Sequence, residues 1–267
     1  MPDRRRDRFH LYQLAVQHPA AEIDLIERLF REQSGRTAHI LREDFCGTAA
    51  VAIEWVRRRP EHHAWGVDYD PEALIWGRRQ VRRLLTSEQQ ERIQLLTADV
   101  LHAETPPVDM VLALNFSYWL LDTRAALLTY FQRVRTQLVP GGLFVLDAHG
   151  GPDAQRLTRE RRRIHDPTGE DFDYCWERAA FDPISGRQVC HIHFQFDDGV
   201  RLERAFSYHW RLWTLPEIRE LLEAAGFTAI QVYWQGWTAQ NQADGYFVPV
   251  AHGEPDEAWI AYISASG

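Results

Sequence analysis

The chain has 267 residues, 45% of them hydrophobic, and a net charge of −8. This length suits one large domain or a core with an embedded insertion, and the acidic balance disfavours a nucleic-acid binder. All basic residues are arginine, which removes lysine Schiff-base chemistry and the phosphate-binding P-loop. The three cysteines, Cys46, Cys175 and Cys190, are widely spaced and form no CxxC pair, so neither a disulfide framework nor a zinc site is expected. No apolar run follows the arginine-rich start and none is long enough to span a bilayer; a reducing cytoplasm is the expected location.

In chain order, Ile23, Ile26, Leu29 and Phe30 lie at helical spacing after His18-Pro19 and predict an amphipathic helix before the core. Residues 38–43 read as a first strand and 48–59 as a first core helix stopped by Pro60. Residues 63–68 form a second strand, and Asp70-Pro71-Glu72 starts a helix with a cap and a proline at its first position. Further strands are expected at 93–97, 108–115 and 143–147, with a helix between the last two that Asp122 can cap and Pro140-Gly141-Gly142 ends. Residues 156–163 read as a charged helix. Three strand-like runs over 172–213 follow, separated by Asp182-Pro183-Ile184-Ser185-Gly186 and Asp197-Asp198-Gly199, which are hairpin signals. Thr214-Leu215-Pro216-Glu217 fits a capping box before a helix that Gly226 stops, and two last strands lie at 230–234 and 259–263.

This alternation predicts an α/β fold: a Rossmann-like, seven-stranded, mostly parallel sheet with helices on both faces and an antiparallel β insertion forming a cap. The expected divisions are an N-terminal helical lid segment (1–37), the core (38–150), the cap (151–213) and the C-terminal part of the core (214–267). Ligands of such sheets sit at the carboxyl ends of the strands, where Glu43, Asp68, Asp99, Asn115 and Asp147 all fall. Gly47 and Asp68 are 21 residues apart, near the roughly 20 of a nucleoside-binding βαβ unit.

The motifs at 43–49 (Glu-Asp-Phe-Cys-Gly-Thr-Ala), 66–68 (Gly-Val-Asp), 98–100 (Ala-Asp-Val) and 138–143 (Leu-Val-Pro-Gly-Gly-Leu) resemble those of class I S-adenosylmethionine-dependent methyltransferases. The resemblance implies S-adenosylmethionine as cofactor. Glu43 would then order the loop near the methionine amino group, and Cys46, Gly47 and Thr48 would let backbone pass beneath the cofactor. Asp68, with Tyr69 beside it, would accept the ribose hydroxyls. Asp99 would bind the adenine amino group with Val100 against the ring, and Asn115 would lie near the methionine moiety. The family usually carries glycine where Phe45 and Ala49 stand, so the bulky Phe45 is expected to restrict the loop.

In-line methyl transfer needs alignment first and a base only where the nucleophile arrives protonated. Tyr118 and His149 are the candidate bases. In the insertion, Tyr174, Trp176, Tyr208 and Trp210 are candidate substrate contacts, and Tyr12 and Arg42 are weaker candidates for the methionine carboxylate. His191 and His193 share a strand face, but no further ligands are spaced nearby, so no metal is expected. The reading is a methyltransferase acting on a small-molecule acceptor, with neither nucleic acid nor membrane as partner. The alternatives are an NAD-dependent oxidoreductase, weakened by the missing GxGxxG, and a non-catalytic nucleoside-binding protein of the same fold.

Overall fold

A computed structural model of the chain describes residues 6–167, 169–237 and 243–267. In chain order the elements are α1 (Arg8–Val16), α2 (Pro19–Ser34), β1 (Ile40–Asp44), α3 (Ala50–Arg58), β2 (His63–Asp68), α4 (Pro71–Leu84), α5 (Ser87–Gln90), β3 (Ile93–Thr97), β4 (Val108–Ala113), α6 (Arg124–Gln137) and β5 (Leu138–Gly150). They continue as β6 (Thr158–Ile164), β7 (Phe172–Phe181), β8 (Arg187–Phe196), β9 (Arg201–Arg211), α7 (Leu215–Ala224), β10 (Ala229–Trp237), β11 (Ala243–Val250) and β12 (Trp259–Ser266).

The chain divides into two compact units. Of the described residues, the larger comprises those in 19–118, 123–151 and 213–267, and the smaller those in 6–18, 119–122 and 152–212. The expected lid segment therefore separates at Pro19, with α1 in the smaller unit and α2 in the larger. Proline has no amide to continue a helix from the preceding turn, so a new helix starts there.

The larger unit holds a sheet in the order β11-β10-β12-β5-β4-β1-β2-β3. Strands β1 to β5 pair in parallel, whereas β12, β10 and β11 are antiparallel to their neighbours. The chain leaves β1 toward β2 and β3, then returns to β4 on the other side of β1. This reversal opens a crevice at the carboxyl ends of β1 and β4. All six residues of β4 are buried, as a strand covered on both faces requires. Among the described residues the sheet has eight strands rather than seven. The additional β11 was not expected; it contains Gly245 and Pro249, and an edge strand tolerates proline because its outer face makes no ladder.

The smaller unit is a four-stranded antiparallel sheet, β6-β7-β8-β9. Its apolar core joins Leu11 and Ala15 of α1 to Phe172, Ile192, Phe194 and Phe196. The stretch expected to be a charged helix is the edge strand β6. Its arginines find acids across the sheet: Arg161 pairs with Asp173, and Arg163 reaches Asp197 at 2.7 Å. A heavily charged edge also discourages pairing with another chain.

Three of the expected helix ends are formed as read. Asp70 caps α4, Thr214 and Glu217 form a capping box on α7, and Gly226 follows α7 at φ +97°. One differs: Thr123, not Asp122, caps α6, while Asp122 pairs with Arg187 at 2.8 Å within the smaller unit. Among the described residues no helix is long and apolar enough to cross a membrane.

Candidate active site

The last two residues of β1 point their side chains in opposite directions and do different work. Asp44 faces α6, where it is fully buried and takes Nε of Arg42 at 2.6 Å and the Tyr130 hydroxyl at 2.9 Å. Arg42 is itself fully buried and also donates to Thr105, Gln137 and the carbonyls of Val100 and Ala103. These contacts commit its guanidinium to tying loops together inside the larger unit, so it is not available to a ligand carboxylate. Tyr12, the companion candidate, lies in the smaller unit against the Phe206 ring at 5.0 Å.

Glu43 faces the other way. Its carboxylate accepts the amide of Ala52 at 2.8 Å, one of the orphan donors in the first turn of α3. Helix N-termini favour negative charge, yet burial pushes this carboxyl up to about 8, with Glu22, Asp68 and Asp44 adding repulsion. The group thus sits mostly neutral at pH 7 unless a cation approaches.

Between β1 and α3 the chain makes a bend in which Phe45, Gly47 and Ala49 have φ of 54°, 53° and 58°. Left-handed backbone costs a non-glycine residue about 1–2 kcal/mol. Phe45 and Ala49 nevertheless adopt the shape that glycine takes easily. Packing holds it: the Phe45 ring meets Tyr130 edge-on at 5.5 Å, and Cys46 donates its amide to the Val67 carbonyl at 3.0 Å. Below the bend the neighbours are glycines by necessity. A Cβ on Gly77 of α4 would stand 2.7 Å from the Thr48 carbonyl oxygen, and one on Gly66 would stand 3.0 Å from Cys46 Sγ.

Asp68 ends β2 beside this bend. Its Oδ2 accepts the Gly47 amide at 2.7 Å and its Oδ1 accepts the Asp70 amide at 2.8 Å. Burial raises its pKa against these bonds. A carboxylate has about four lone-pair sites, so these amides leave room for a further donor such as a hydroxyl. Tyr69, next in the chain, is exposed. The Ala98 amide bonds the Asp68 carbonyl at 2.9 Å, which brings the turn after β3 alongside. There Asp99 has its side chain half exposed and caps its own turn through the Leu101 amide at 2.9 Å, while Val100 is buried.

At the tip of β4, Asn115 and Phe116 are both left-handed, at φ 57° and 58°. Their amides donate to Oδ2 and Oδ1 of Asp147, each at 2.9 Å. Tyr118 is fully buried and its hydroxyl donates to the Asp147 carbonyl at 2.8 Å, an anchoring bond that occupies the proton a base would lack. His149 lies two residues on in β5 and meets the Phe116 ring edge-on at 4.7 Å.

The structure thus brings Glu43, Cys46, Gly47, Thr48 and Asp68 around one bend, sets Asp99 and Val100 beside Asp68, and places Asn115 at the adjoining tip. Tyr174, Trp176, Tyr208 and Trp210 belong to the smaller unit. There Tyr208 stacks on Trp210 at 4.5 Å, Trp176 lies about 6 Å from both, and Tyr174 leans on Phe194. On the opposite sheet face, His191 bonds Ser207 and His193 lies between Glu177 and Glu203.

One acid, Glu22, was not read near the strand tips, and the hold of a second, Asp147, on β4 was not read. Glu22 of α2 is buried and contributes to the raised values of Glu43, Asp147 and Tyr262, which places it among the strand tips. Its signal is that Glu22, Ile26 and Leu29 share one helical face, so an acid stands in an apolar stripe. Asp147 stands at the expected strand end, but its grip on β4 depends on tertiary pairing that no local pattern announces.

No protein-family model matches the chain, and no curated protein matches its sequence. Solved structures do match in fold. A S-adenosylmethionine-dependent methyltransferase from Clostridium acetobutylicum is 17% identical, with 97% of this chain and 98% of that one covered and a TM-score of 0.68. CalS10, an amino pentose methyltransferase from Micromonospora echinaspora solved with S-adenosylmethionine, is 16% identical over 97% and 96%, also at 0.68. The sugar N-methyltransferase KedS8 from Streptoalloteichus is 17% identical over 98% and 94%, at 0.64. The chain has the fold of class I S-adenosylmethionine-dependent methyltransferases.

Proposed function

We propose that the protein is a S-adenosylmethionine-dependent methyltransferase acting on a small-molecule acceptor. The observation that carries this reading is the pairing of Glu43 and Asp68 at adjacent strand tips around a left-handed bend whose amide already bonds Asp68. The residues fit the donor's chemistry. Buried acids at Glu22, Glu43, Asp68 and Asp147, with raised pKa values where a shift is resolved, suit a ligand that brings positive charge.

Bound S-adenosylmethionine supplies an electrophilic methyl on a sulfonium leaving group. Glu43 would hold the amino group, the free lone pairs of Asp68 the ribose hydroxyls, and Asp99 with Val100 the adenine. The backbone at 46–48 would run beneath, and Asn115 would sit toward the methionine end. The protein's task is alignment and exclusion of water, and alignment can contribute on the order of 7–11 kcal/mol. His149 is the residue we assign as base where the acceptor arrives protonated, since the Tyr118 hydroxyl is already committed. Tyr174, Trp176, Tyr208 and Trp210 are the proposed acceptor contacts. Amino sugars are the first class to assay, since one of the similar structures is an amino pentose methyltransferase and another a sugar N-methyltransferase.

Calorimetry with S-adenosylmethionine, S-adenosylhomocysteine and NAD tests the reading. Binding of the first two and not NAD is expected. Binding of NAD alone would replace the reading with an oxidoreductase, and donor binding without transfer to any acceptor pool would leave a nucleoside-binding protein.

A further inference from the structure

The tips of β4 and β5 are joined more tightly than strand pairing requires. Two successive left-handed residues, one of them an aromatic, donate both amides to a single buried carboxylate, Asp147. The same residue's carbonyl takes the Tyr118 hydroxyl, and Ser117 Oγ closes the turn on the Leu114 carbonyl at 2.6 Å. Phe116, thus fixed, lays its ring against His149 at 4.7 Å. Backbone in this unfavourable region persists only where its surroundings hold it, and such points gather at working sites.

We propose that Asp147 is a positioning residue for the transfer: its carboxylate fixes the Asn115–Phe116 turn toward the donor and, through Phe116, the ring of His149. The functional half of this inference rests on the methyltransferase reading, and the structural half stands on the hydrogen bonds alone. Only an ionised carboxylate accepts fully on both oxygens. An asparagine would turn an NH2 group against one of the two amides, leaving donor against donor. The groups facing Asp147 are Glu22 from α2, Tyr262 from β12, Tyr118 on its carbonyl and His149 two residues along. Burial and Glu22 push the carboxyl up to about 7, against the pull of the two amides. The clamp therefore tightens as the pH rises through neutrality.

The test follows the two amides and the donor separately in the full chain. In the wild type, the amide protons of Asn115 and Phe116 should titrate together by NMR with a midpoint near 7. Calorimetric affinity for S-adenosylmethionine should carry a component with that same midpoint. In Asp147→Asn the paired titration should vanish and affinity fall about tenfold or more, while the component near 8 from Glu43 stays. Unchanged affinity and pH dependence in Asp147→Asn overturns the proposal. Asp147→Glu keeps the charge but displaces both oxygens, and it serves where the asparagine variant fails to fold. Lost affinity with charge retained supports positioning, and wild-type affinity overturns it. A wild type that binds no S-adenosylmethionine removes the methyltransferase reading, and the amide titration then still decides the clamp.

Discussion

At the scale of single residues, the two tip carboxylates differ in how they meet a ligand. Asp68 is held by two backbone amides and presents its remaining lone pairs, so its contribution is directional. Asp68→Ala should weaken S-adenosylmethionine binding by about 100-fold, the loss of two hydrogen bonds to a charged group, as read by calorimetry. An unchanged dissociation constant would remove its assigned role. Glu43 acts through charge. Its folded-state pKa is raised to about 8 from 4.5, so the stability it contributes is full below about 4.5 and is lost as the pH rises through about 8. A cationic donor selects the ionised form, so binding at pH 7 should release close to one proton from Glu43, beside any from Asp147, and affinity should rise with pH up to 8. Titrations in two buffers of different ionisation enthalpy measure this release, and Glu43→Gln should remove the Glu43 share and leave only the smaller release tied to Asp147. Release that is undiminished in the glutamine variant would place the proton elsewhere.

At the scale of elements, the order of strands and helices was legible because apolar runs, caps and turn glycines repeat with clear periods. The acids at strand ends were legible for the same reason. What local pattern could not carry was partnership across the sheet. The arginines of β6 imitate a helix until Asp173 and Asp197 are seen opposite them, and β11 hides behind Gly245 and Pro249. Arg42 offered itself as a ligand contact because its burial against Asp44, Gln137 and two carbonyls is a tertiary fact. Its replacement tests that assignment: Arg42→Leu leaves Asp44 buried without its cation and should cost about 3–5 kcal/mol in urea unfolding. A loss under about 1 kcal/mol would return Arg42 to the surface contacts. The bend also leans on α4. Gly77→Ala, with its new Cβ 2.7 Å from the Thr48 carbonyl oxygen, should destabilise by about 1–3 kcal/mol and weaken donor binding together, because the helix must retreat from the loop.

At the scale of the whole molecule, the division into two units separates two proposed tasks. The larger carries the strand tips assigned to the donor, and the smaller has its own apolar core and the aromatic cluster assigned to the acceptor. On that assignment Trp176→Ala should leave S-adenosylmethionine affinity within about twofold and lower kcat/KM for the acceptor by tenfold or more, a loss of about 1.4 kcal/mol in transition-state binding. Equal losses on both sides would mean that the ring serves packing alone. The central claim, that the tips of β1 and β2 grip an adenosyl group across the bend at 45–49, is tested most directly by a crystal structure of the chain with S-adenosylhomocysteine. The account predicts the ribose hydroxyls on Asp68 and the amino group at Glu43, with the backbone of 46–48 beneath. A ligand bound elsewhere, or seated there without touching either carboxylate, would contradict it.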